Sequence, residues 1–91
     1  PYENLANAII LQAVNDYRRA LRFLKRHPHT SDLDTGEAKA DREKRILLDK
    51  IIKNESVRDK VEHFFRSGWF ETLSNIDGEV LLCKIRAMEV G

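Results

Sequence analysis

The sequence predicts an all-α chain: a compact bundle of about four helices with a long N-terminal helix, forming a single domain over residues 1–91. Three observations carry this. Apolar residues recur at spacings of three and four through most of the chain, the period of an amphipathic helix. No segment alternates apolar and polar residues as a half-buried strand does. Pro28, Gly36, Gly68 and Gly78 stand singly between the periodic stretches, where helices stop and start.

The first helix is expected over residues 3–26. Leu5, Ile9, Ala13, Tyr17, Leu21 and Leu24 occupy one stripe. Arg18, Arg22 and Lys25 form a second stripe about 90° round from it. Pro28 ends the helix, because the residue before a proline is driven out of the helical region. Residues 27–35 (HPHTSDLDT) read as a loop, with Asp34 or Thr35 available to cap the next helix. That second helix is expected over residues 36–54. Its first half has little apolar face and reads as the weakest part of the fold. Its second half gathers Leu47, Leu48, Ile51 and Ile52, leaving Ile46 on the charged side among Arg42, Asp49, Lys50 and Lys53.

Ser56 is the expected N-cap of a third helix, whose core face is Val57, Val61, Phe64 and Phe65. Gly68 is expected as a left-handed helix terminator, followed by a short turn from Trp69 to Leu73. Asp77 then caps a last helix over residues 78–88, with Val80, Leu81, Ile85 and Met88 inward. Four of the seven aromatic residues lie between Phe64 and Phe70. Phe64 and Phe65 continue a core stripe. Trp69 and Phe70 fall at the corner, where large aromatics close the end of a bundle. Trp69 is the stronger candidate for an exposed anchor at a protein interface, since Trp is enriched among binding hot spots.

Three segments, NAIILQAVNDYRRAL (residues 7–21), FFRSGWF (residues 64–70) and IDGEVLL (residues 76–82), resemble a family of small uncharacterised all-helical proteins carried by bacterial prophages and other mobile elements. FFRSGWF followed by IDGE is the specific part, and residues 30–60 carry no resemblance. The resemblance brings no catalytic residue and no cofactor. It implies a cytoplasmic accessory protein that binds a host or element component, for example as an inhibitor of a host defence complex.

Composition narrows the function classes. Charged residues make up 34% of the chain but cancel to +1, where a dedicated nucleic-acid binder carries a clear basic excess. The longest apolar run, Ala8 to Leu11, is far short of the roughly 20 residues that span a bilayer, so no membrane partner is expected. A single cysteine, Cys83, excludes an internal disulfide and suits a cytoplasmic location. His27, His29, Asp32 and Asp34 lack the spacing of a zinc site. Asp32, Asp34 and Glu43 match the ends of a calcium loop, but glycine falls one place early, at Gly36. His63 and Cys83 have no orienting third group between them. No metal, cofactor or catalytic residue is therefore expected, and an enzyme is not.

The reading is a non-catalytic binding protein acting through protein–protein contact, with Trp69, Ile46 and the arginines of the first helix as contact residues. The alternative is a nucleic-acid-binding accessory protein using Arg18, Arg22, Lys25 and Arg26, a stripe that otherwise reads as a solvated face complementing the helix dipole. A helix-turn-helix mode is disfavoured, because Asp77 and Glu79 would meet phosphates at the start of the recognition helix. A homodimer through Ile46 and Cys83 is the third expectation.

Overall fold

The computed structural model describes residues 2–90, and side chains from Asn4 to Glu89. It is all-α as expected, with no strand among the described residues. Helix α1 spans Tyr2–Arg26. A 3-10 turn at Ser31–Asp34 leads into the short α2, Gly36–Ala40. Helix α3 runs Arg42–Phe65, α4 is Gly68–Leu73, and α5 is Gly78–Val90. Helices α1 and α3 lie antiparallel as a long hairpin, with Ile9 near Phe64 at one end and Phe23 near Leu47 at the other. The molecule is accordingly drawn out, 51 × 26 × 18 Å.

The expected break between the second and third helices is absent: residues 54–56 are continuous helix. The Asn54 side-chain amide donates to the Lys50 carbonyl one turn back, so it sits on the helix instead of terminating it. Ser56 caps nothing, because Ile51 and Val61 on either side are buried in the core. The real break is at Asp41, in extended conformation. Its N–H closes α2 on the Glu37 and Ala38 carbonyls, and its carboxylate accepts from the Glu43 and Lys44 amides to open α3.

The segment over residues 27–35 is more ordered than a plain loop, since its 3-10 turn buries Leu33 against Leu48 and Ile51. His29 fastens it from outside. One ring nitrogen lies 2.9 Å from Asp34 and the other 3.1 Å from Glu55 of α3. Donating to both carboxylates requires both ring protons, so the hydrogen bonds to Asp34 and Glu55 raise the imidazole above its ordinary pKa. The weak-looking stretch over residues 36–45 is likewise held: the Thr35 hydroxyl accepts from the Ala38 amide, and Ala38 is buried.

The corner at residues 66–70 turns without a left-handed glycine, because no residue has positive φ among those described. Ser67 makes the turn. Its hydroxyl donates to the Phe64 carbonyl, ending α3, and accepts from the Phe70 amide, starting α4. Phe65 and Phe70 pack edge to face at 5.1 Å and are fully buried beside Tyr17, Val61, Leu82 and Ile85. The inner face of α5 is Leu81, Leu82 and Ile85. Val80 and Met88, expected inside, are exposed. Asp77 caps α5 as expected, accepting from the Glu79 and Val80 amides. Gly78 lets α5 approach the end of α3, where a Cβ would overlap the Phe65 carbonyl; around Gly68 there is open space.

Two outcomes test these joints. Gly78→Ala should lower unfolding stability by about 1–3 kcal/mol, because backbone must shift. Gly68→Ala should be neutral or raise stability by about 0.4–1 kcal/mol; paired denaturant melts decide this. For His29, a raised folded pKa means the clasp is complete below about pH 6.5 and is lost as pH rises through that raised value. Exchange at the Leu33 amide should therefore quicken as pH rises above about 6.5 by more than its intrinsic rise, and His29→Gln should abolish the excess.

Candidate protein-binding groove

Two antiparallel helices offer two grooves, one on each side of their seam. In this protein α5 fills one and leaves the other open. On the filled side the contact is polar as well as apolar. Tyr17 of α1, Glu62 of α3 and Arg86 of α5 meet in one cluster. The Tyr17 hydroxyl donates to Glu62 at 2.7 Å and accepts from Arg86 at 2.9 Å, and Arg86 donates to Glu62 at 2.8 Å. Burial pushes the Glu62 carboxyl up, but the hydrogen bonds from Tyr17 and Arg86 outweigh it and hold the group below its ordinary value. Burial and the Glu62 carboxylate together raise the Tyr17 phenol.

The same side accounts for most of the basic stripe. Arg18 and Arg22 both bond the Glu89 carboxylate, at 2.7 and 2.9 Å, and Lys25 reaches the Glu89 backbone carbonyl at 3.4 Å. The Glu89 side chain is only 8% exposed. Hydrogen bonds from Arg22 and Arg18 hold its carboxyl down to about 2. These cations bind α5 to α1, while Arg26, at the helix end, is exposed.

The open side is a continuous groove. Its α3 wall is Ile46, Lys50, Lys53, Val57, Lys60 and Phe64, a single stripe at spacings of three and four. Its α1 wall is Ile9, Gln12, Asp16, Arg19, Phe23 and His27, in the same rhythm. A central depression of about 430 Å³ shares Phe23 and Lys50 with a depression of about 280 Å³ at the Ile46 end. It shares Asp16 with another of about 280 Å³ at the Trp69 end. From Ile46 to Phe64 the groove runs about 27 Å, at 1.5 Å per helical residue.

Both predicted protein-binding residues lie here, at opposite ends. Ile46 is 43% exposed beside Phe23 and Leu47. Trp69 is 60% exposed, edge-on to Phe64 at 6.0 Å, with Ile9 and Ala13 completing its end. The middle is basic. Among the described residues, Arg19, Lys50, Lys53 and Lys60 form no ion pair. Sequence reasoning missed Lys50, Lys53 and Lys60 as site residues. The signal was their regular spacing from Ile46 to Phe64, which the helix break expected at residues 54–56 concealed.

His63 and Cys83 are exposed on different helices, and no described group of three His, Cys, Asp or Glu residues is placed to hold a metal ion. No described helix is long and apolar enough to cross a membrane. Comparisons with protein-family profiles, with curated proteins and with solved structures give no match.

The Glu89 bracket predicts an acid response. Its folded pKa lies below the ordinary 4.5, so its stabilisation is present above that value and is lost as pH falls toward 2. Between those limits the thermal midpoint of the wild type should fall further than that of Glu89→Gln, as followed by circular dichroism.

Proposed function

We propose that the chain is a non-catalytic binding protein of a mobile element, acting in the cytoplasm through protein–protein contact along the α1/α3 groove. The observation that carries this is the placement of Ile46 and Trp69 at opposite ends of one open groove, with a basic centre between them. Two separated apolar anchors around a polar middle suit a protein surface, where a few large side chains supply most of the affinity. The exposed thiol of Cys83 is consistent with a reducing compartment. In the setting that the FFRSGWF and IDGE resemblance implies, the partner is a host or element component, and occupying its surface is the mode of action, as for an inhibitor of a host defence complex. The nucleic-acid reading through α1 is weaker, because Arg18 and Arg22 are already engaged by Glu89.

A photoreactive amino acid placed at position 46 or 69, in cells that naturally encode the chain, should capture the same protein from both positions. It should capture nothing from position 88, which is also exposed but lies on α5. Ile46→Ala combined with Trp69→Ala should reduce recovery of that protein at least tenfold. Capture from position 88 alone, or recovery of nucleic acid without protein, overturns the reading.

A further inference from the structure

We infer that the occupant of the α1/α3 groove is an amphipathic helix of a partner protein that carries carboxylates in its central turns and apolar residues at its two ends. The inference rests on the protein-binding reading above and adds the chemistry of the partner.

The shape argument comes from the filled side. A pair of packed helices presents ridges and grooves at helical spacing, into which another helix fits. Helix α5 does so on one side of α1, and among the described residues no helix covers the opposite side. The open groove runs about 27 Å between Ile46 and Phe64, the length of about 18 helical residues. An occupying helix would bring Ile46 and Trp69 under cover together, which a short or globular contact at either end would not.

The charge argument is independent of the shape. On the filled side α5 places one carboxylate, Glu89, between two arginines of α1. On the open side Arg19 of α1 faces Lys50 and Lys53 of α3 around the central depression, with Lys60 further along. Two acids also line the groove, Asp16 and Glu43. Asp16 accepts from Gln12 at 2.9 Å, within its own helix. The centre therefore holds three cations, Arg19, Lys50 and Lys53, against the single carboxylate of Asp16, and no ion pair joins them. Like charges held across a groove repel, and a carboxylate between them removes that repulsion while setting register. Asn54 adds an amide at the same level. Phosphates would also satisfy the cations, but they would leave Ile46, Phe23 and Trp69 uncovered.

The test is a selection. A library of helix-forming peptides of about 20 residues is displayed and selected on the immobilised chain. Enriched sequences should converge on Asp or Glu in the central two turns, flanked by aromatic or aliphatic residues. The best synthetic peptide, measured by fluorescence anisotropy, should lose at least tenfold in affinity with Lys50→Glu plus Lys53→Glu. It should lose a smaller factor with Lys50→Gln plus Lys53→Gln, and tenfold or more with Trp69→Ala. Lys84→Glu, on α5, should leave it unchanged, and unchanged melts of each variant show that folding is intact.

Enrichment of peptides without central acids, or binding that survives charge reversal, overturns the inference. So does duplex DNA binding that depends on Lys50 and Lys53 with no peptide enriched, or a self-association abolished by the same changes. The two readings fail separately. A protein captured from positions 46 and 69 that ignores charge reversal leaves the protein-binding reading standing and removes the acidic helix. Absence of capture at both positions removes both.

Discussion

Tyr17, Glu62 and Arg86 form a hydrogen-bonded cluster that joins the three longest elements, one residue from each of α1, α3 and α5, at the edge of the apolar core they share. The Tyr17 ring is fully buried, and its hydroxyl has a partner both as donor, in Glu62, and as acceptor, in Arg86. Hydrogen bonds to charged partners are directional and depend on close distance. This cluster therefore sets the rotation of α1 about its own axis. Once Tyr17 points at Glu62, Arg18 and Arg22 must face α5, and Arg19 and Phe23 must face the other way. The open groove and its basic centre are consequences of that rotation.

The corners act in the same sense. Asp41 and Ser67 each end one helix and begin the next with a single side chain and its backbone, leaving no slack in the connections. Gly78 brings the start of α5 against the Phe65 carbonyl, and Arg66 pairs with Glu79 across the same joint. With its N-terminus held there and Glu89 held near its far end, α5 is confined to one side of the hairpin. It spans 13 residues against 25 and 24 for α1 and α3. A small chain buries a limited fraction of its surface, and here Ile46 and Trp69, along the open seam, are among the large apolar residues left exposed.

Much of the fold was legible in the chain. The α1 stripe from Ile9 to Leu24, its stop before Pro28, the Asp77 cap and the buried Phe65 were readable from spacing and cap chemistry; of the two caps offered before α2 the structure uses Thr35, and Leu5, expected on the stripe, is exposed. The errors have separate local causes. Asn54, Glu55 and Ser56 look like a helix boundary because Asn and Ser compete locally with the helix backbone. Burial of Ile51 and Val61 against neighbouring helices outweighs that preference, which is at most about 0.7 kcal/mol per residue. Gly68 looks like a left-handed terminator, yet Ser67 had already closed the helix through its hydroxyl. The 3-10 turn was hidden because its single buried residue, Leu33, has no periodic companions nearby.

By itself the sequence determined the helical class, the length of α1, the aromatic corner and the exposure of Ile46, because each depends on contacts within a few turns. Only the tertiary structure decided that α3 is unbroken, which half of the charged surface of α1 is engaged by α5, and that Ile46 and Trp69 belong to one groove. These depend on the rotation and register of helices against one another. Rotation and register are set by pairs distant in sequence, such as Tyr17 with Arg86 and Arg18 with Glu89, which no local pattern encodes.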